Sequence, residues 1–222
     1  YADALDGALS KNAIEHGSVD SVIGVTCILK GKTPFTLYYW IVVAPSIDEA
    51  HALSAQVLVE TPARLITSTE RFWTAWSEEG SHSLQSIDTS LRELYRHSLS
   101  VIKSHTDREG GIIASSDTEI LNQGRDTYSY VWPRDSALSA LALSRGGYLE
   151  EAETYFRFMA GCLESDGYLM HKYRVDGVLG SSWHPWIREG RMLLPIQEDE
   201  TALVLYALGE HYVLGKNISF IE

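Results

Sequence analysis

A change of hydrophobic period at Pro45 constrains this chain more than any other feature. Upstream, β-branched and aromatic residues dominate. Ser21 to Leu29 read Ser-Val-Ile-Gly-Val-Thr-Cys-Ile-Leu and Phe35 to Val43 read Phe-Thr-Leu-Tyr-Tyr-Trp-Ile-Val-Val, on either side of Lys-Gly-Lys-Thr. This pattern predicts two strands joined by a turn at Gly31. Two strands alone cannot hide a face from water, so a larger sheet is expected, with further members upstream. Downstream, apolar residues recur at helical spacing. Ser46 to Glu49 form a capping box, in which Ser and the Glu three residues later satisfy free amides of a helix start. Helices are expected over 47–58 and through Glu70 to Trp76. Leu91, Leu94, Tyr95, Ser98, Leu99 and Ile102 fall on one helical stripe, as do Ala152, Tyr155, Phe156, Met159, Ala160 and Leu163. A shorter helix should begin at Asp135, run through Leu143 and stop at Gly146 and Gly147, and residues 201–214 should form another. The expected class is mainly α with an N-terminal β segment.

Composition narrows the partners. The 222 residues are 45% hydrophobic and 22% charged, an ordinary globular mixture. A net charge of -12 without any Lys/Arg run argues against nucleic acid, because phosphates need clustered cations. The longest apolar stretches, such as Leu37 to Ala44, fall well short of the roughly 20 residues that span a bilayer, so no membrane helix is expected. Cys27 and Cys162 lie in a strand-like and a helical segment, which points to reduced thiols and a cytoplasmic setting rather than a disulfide framework. Tyr1 opens without an initiator Met or a signal-peptide pattern, and the last residues are apolar, so the remainder of a longer polypeptide is an expected partner.

The segments from Thr106 to Pro133 and from Ser165 to Pro195 are long for loops and hold most of the unusual residues. Tyr128 to Asp135 read Tyr-Ser-Tyr-Val-Trp-Pro-Arg-Asp. Pro133 keeps the residue before it out of the helical region, so Tyr128, Tyr130, Trp132, Arg134 and Asp135 are presented at one helix mouth. Rings cover the apolar faces of a sugar while charged groups fix its hydroxyls. Asp135 as a plain N-cap is the competing reading. Pro195 to Glu200 read Pro-Ile-Gln-Glu-Asp-Glu and lead into the next helix. Glu198, Asp199 and Glu200 either complement the helix dipole or, with Gln197, line a pocket. Adjacent acids cannot straddle a sugar as an inverting pair must, about 6.5–9.5 Å apart. In the loop from Asp166 to Trp186, Asp-Gly pairs predict tight turns with short strands between them. Trp183 and Trp186 are core plugs or stacking platforms. His171 and His184 lack a ligand set, so no metal is expected, and no phosphate loop or nucleophile elbow appears.

Four motifs in order, Tyr-x-Tyr-x-Trp-Pro-Arg-Asp (128–135), Lys-Tyr-x-Val-Asp-Gly (172–177), Gly-Ser-Ser-Trp-His-Pro-Trp (180–186) and Pro-Ile-Gln-Glu-Asp-Glu-Thr-Ala-Leu (195–203), resemble the glucoamylases of glycoside hydrolase family fifteen, particularly the prokaryotic type. The resemblance covers residues 90–214. It implies an (α/α)6 toroid preceded by a β-sandwich and a helical linker, with residues 1–44 as the last sandwich strands, 45–85 as linker and 86–222 as the first part of the toroid. It implies an exo-acting, inverting hydrolase that releases glucose from the non-reducing ends of α-glucans or maltooligosaccharides, without a cofactor. Arg134 and Asp135 would grip the terminal glucose, with Tyr128, Tyr130 and Trp132 as pocket walls. Lys172 would reach a more distant sugar, Trp183 and Trp186 would contribute to the rim, and Gln197, Glu198, Asp199 and Glu200 would start the pocket-adjacent helix. The family's general acid lies in a Trp-Glu-Glu type motif after the last of these segments and its base further on. Both are therefore expected after Glu222, and Trp76 to Glu79 precede the first barrel helix and do not serve. A relative acting on trehalose or dextran, and a non-catalytic carbohydrate-binding helical-repeat protein, are the alternatives.

Overall fold

A computed structural model describes residues 5–14, 16–17, 22–79, 88–116, 127–181 and 186–222. They fall into two compact units, Tyr1–Pro62 and Ala63–Glu222.

In the first unit the expected turn at Gly31 is present, with a positive φ of 65°. The strands on either side of it are not: the described residues 22–44 form no ladder. Ile28, Tyr39, Ile41 and Val43 are among the apolar side chains left exposed. The physical reason is the one that limits any isolated hairpin, since without a third strand or a covering layer the pairing has no buried face to stabilise it. Helix α1 (Ile47–Glu60) begins where the capping box puts it. Ser46 Oγ accepts from Glu49 N at 3.2 Å, and the hydroxyl donates to Glu49 Oε1 at 3.1 Å, so the carboxylate engages the cap side chain itself.

The second unit holds α2 (Pro62–Glu79), α3 (Thr89–Ser104), α4 (Pro133–Arg145), α5 (Leu149–Cys162), α6 (Glu198–Gly215) and the single turn α7 (Ile218–Ile221). The two-residue strands β1 (Ile187–Arg188) and β2 (Arg191–Met192) pair antiparallel. Helix α4 is the hub and packs on α6, α5 and α3. Its buried face is built from Ala137, Ala140, Leu141 and Leu143. It starts at Pro133, two residues before the expected Asp135, because proline at the first helical position has φ already set and loses no hydrogen bond there. Asp135 is thereby the third helical residue and not the N-cap, a place taken by Trp132 without a side-chain cap.

The expected stripe of α5 buries Ala152, Tyr155, Phe156 and Met159, while Ala160 and Leu163 are exposed at its C-terminal end. On α3 only Leu99 is fully buried, Tyr95 and Ile102 pack beside it, and Leu91 and Leu94 face outward. Trp76, at the end of α2, is core. Its ring stacks on Tyr148 at 4.1 Å, and its Nε1 donates to Glu151 Oε1 at 2.8 Å.

Candidate sugar-binding site

Loop segments stitch together at the N-terminal ends of α4 and α6. Val131 and Tyr173 exchange backbone hydrogen bonds at 2.8 Å each way. Ala114 N donates to Tyr130 O, Gly180 N to Lys172 O, and His171 N to Pro195 O. The Asp-Gly turns form as expected, with Gly167 and Gly177 at φ of 82° and 76°, a region that side chains disfavour. Around the second turn, Tyr173 and Leu179 meet only in an isolated antiparallel bridge, and the short strands expected between the two turns do not form among the described residues.

This scaffold brings the two helix mouths into contact. Arg134 Nη1 donates to Gln197 Oε1 at 2.6 Å and to Asp199 Oδ2 at 3.2 Å, and Nη2 lies 3.7 Å from Asp135 Oδ2. A hollow of about 260 Å³ opens beside them, lined by Ala114, Tyr128, Trp132, Arg134, Asp135 and Gln197. Its walls therefore combine two rings, a guanidinium, a carboxylate and an amide, with the Tyr128 and Trp132 ring centroids 5.7 Å apart. The first turn of α4 is fixed from below. The Tyr155 hydroxyl, without exposed surface, donates to Pro133 O at 3.2 Å and accepts from Ser136 Oγ at 3.1 Å.

The other sequence-derived candidates stand at varying distance from this hollow. Tyr130 sits edge-on to Trp132 at 5.9 Å, and its hydroxyl shares a hydrogen bond with Ser181 Oγ. Lys172 has no exposed surface, and its Nζ lies 4.2 Å from the Tyr130 ring centroid and 5.4 Å from that of Trp132. In this geometry Lys172 holds the aromatic wall by cation–π attraction and does not itself line the hollow. Gly180 lets it in, since a Cβ there would meet Lys172 Cγ at 2.9 Å. Trp186 packs beside His171, with centroids 5.8 Å apart, and is not part of the lining. Trp183 lies outside the described residues. Asp199 is half exposed and pairs with Arg134. Glu198 is exposed at the helix start. Glu200 is fully buried behind Arg134, so it does not line the hollow.

Sequence reading missed Ala114, Ser136 and Tyr155. Alanine carries no chemical signal, and the two hydroxyls lie on faces that the helical pattern assigns to the core. Among the described residues no group of three or more His, Cys, Asp or Glu could hold a metal ion, and no helix is long and apolar enough to cross a membrane.

Comparison with known proteins gives three findings. Residues 89–184 match the family model described as glycosyl hydrolases family 15. A protein of Methanocaldococcus jannaschii, described as an uncharacterized glycosyl hydrolase, is 27% identical over 135 residues, which make up 61% of this chain and 19% of that protein. No solved structure matches significantly. Over the stretch that carries Arg134, Asp135 and Lys172, then, the chain is similar to the glycosyl hydrolases of family 15.

Proposed function

We propose that this chain supplies the sugar-holding part of an exo-acting, inverting glycoside hydrolase that releases glucose from the non-reducing ends of α-glucans or maltooligosaccharides. The observation that carries the reading is the convergence of the α4 and α6 mouths, which are 63 positions apart in sequence at Arg134 and Gln197, on one small hollow. At about 260 Å³ it lies below the roughly 300–1,000 Å³ of pockets that take drug-sized ligands, a scale that suits one sugar ring. Arg134, Asp135 and Gln197 supply both donors and acceptors, which a ring of hydroxyl groups needs, and Tyr128 and Trp132 supply faces for its C–H edges. The similarity to glycosyl hydrolases over residues 89–184 supports the same class.

Hydrolysis with inversion needs one carboxyl to protonate the leaving oxygen and a second, across the sugar, to activate water. In this reading the residues described above bind and orient the terminal glucose, and the two catalytic carboxyls are groups other than these. The helices of residues 86–222 are then the first part of a helical toroid.

The test is an activity panel on the full-length protein with maltotriose, isomaltose and trehalose. Release of β-glucose from maltotriose, reduced at least 100-fold in kcat/KM by Arg134→Ala or Asp135→Ala, is the expected result. Turnover of trehalose alone would overturn the substrate assignment, and near-normal kinetics in both variants would overturn the site.

A further inference from the structure

Behind the hollow lies a carboxyl group that sugar binding does not account for. Glu200, in the first turn of α6, has no exposed surface, and neither of its oxygens has a hydrogen-bond partner among the described residues. Its cation is Arg134, whose Nη1 is 4.0 Å from Glu200 Oε1. That nitrogen already directs its two hydrogens to Gln197 Oε1 at 2.6 Å and Asp199 Oδ2 at 3.2 Å. Asp135 lies 3.7 Å from the other terminal nitrogen.

One guanidinium therefore faces three carboxyl groups, and the two that can be solvated, Asp135 and Asp199, are half exposed. The remaining groups acting on Glu200 offer it no help. Tyr155 on α5 and Tyr173 in the following loop are phenols that burial holds protonated, and Asp135 on α4 and Asp199 on α6 add negative charge. An ionised carboxylate in that position would have, as the described residues stand, no hydrogen-bond donor and no exposed surface. In keeping with this, burial first, and then the two aspartates, push the Glu200 carboxyl up to about 8 against the pull of Arg134.

We propose that Glu200 is a positioning residue that is protonated while Arg134 faces the hollow, and that its ionisation draws the guanidinium inward, off Gln197 and Asp199. The proton passes to solvent, and the side chain that gains the charge is the one behind the fork. A buried ion pair attracts the guanidinium more strongly than a neutral amide does, so the fork's sugar-facing position depends on the Glu200 proton. The functional meaning rests on the reading of Arg134 as a sugar-holding group; the movement itself does not.

The experiment follows the Arg134 side chain by carbon-detected NMR without sugar, with its resonance assigned by its loss in Arg134→Lys. Between pH 6 and pH 10 the wild-type resonance should shift in step with the Glu200 carboxyl carbon, and in Glu200→Gln it should stay flat. A Glu200 carboxyl that titrates below pH 5 in the wild-type chain would overturn the proposal without reference to any variant. So would an equal Arg134 shift in Glu200→Gln. Maltose titrations form the second arm: above the midpoint the wild-type dissociation constant should rise by up to about tenfold per pH unit, and that of Glu200→Gln should not. Equal pH dependence in both proteins would count against the proposal. Failure of the chain to bind maltose at pH 6 would sink the functional reading instead, while the sugar-free NMR comparison still decides this one.

Discussion

Tyr155 illustrates how a residue with no surface can shape a site. Its phenol joins the Pro133 carbonyl to the Ser136 hydroxyl and so sets the first turn of α4, from which Arg134 and Asp135 project. Burial raises its pKa far above the working range, so it serves as a neutral donor and acceptor. Tyr155→Phe should cost about 1 kcal/mol of stability, the net value of a buried hydrogen bond, and urea unfolding measures it. The place of Arg134 and Asp135 at the mouth of α4 was legible from Pro133, whereas their sugar-holding role came from the resemblance of residues 128–135 to glycoside hydrolase family fifteen and not from spacing. Glu200 was legible only as an acid in a first turn, where dipole compensation and pocket lining look alike. Which of three successive acids turns inward depends on the rotation of α6 against α4, and that is a property of packing.

Elements were readable where a local interaction defines them. The α1 start follows from Ser46 and Glu49, and the Asp-Gly turns follow from residues that tolerate positive φ. The strands expected on either side of Gly31 were not, because β pairing needs partners that local sequence does not supply. The contact that matters most for the site is α4 against α6, since it sets Arg134 beside Gln197. Ala137 and Ala140 on α4 and Ala207 on α6 have no exposed surface in this core, and small side chains let the helices come close. Ala140→Leu should overpack it at a cost of about 1–3 kcal/mol and, by shifting the two helix mouths apart, weaken maltose binding as well. Chemical denaturation and a maltose titration of the same protein check both effects. An unchanged affinity despite lost stability would separate the site from the helix contact.

Across the whole molecule, two buried groups tie stability to pH in opposite senses. Burial lowers the His211 pKa below its ordinary 6.5 against the opposing pull of Glu153, and Ser144 Oγ lies 2.9 Å from its Nδ1. The unfolded chain therefore takes up this proton first, and stability from His211 is present above pH 6.5 and lost as the pH falls. Glu200 behaves the other way. Its carboxyl is raised from 4.5 to about 8, so the folded chain keeps a proton the unfolded chain has released. Its contribution is whole below pH 4.5 and declines, by up to about 1.4 kcal/mol per pH unit, until the folded group ionises near 8. Glu200→Gln, which cannot ionise, should therefore gain on the wild-type chain steadily between pH 5 and pH 8 in urea unfolding, and a constant difference would contradict the buried, protonated carboxyl. The measurement that bears most directly on the account as a whole is a maltose titration of the chain at pH 6, read at the Arg134 guanidinium and the Trp132 indole. Saturable shifts at both groups, abolished by Asp135→Asn, are the expected result. Shifts confined to Trp186, or none at any concentration, would mean that the hollow between α4 and α6 does not hold sugar.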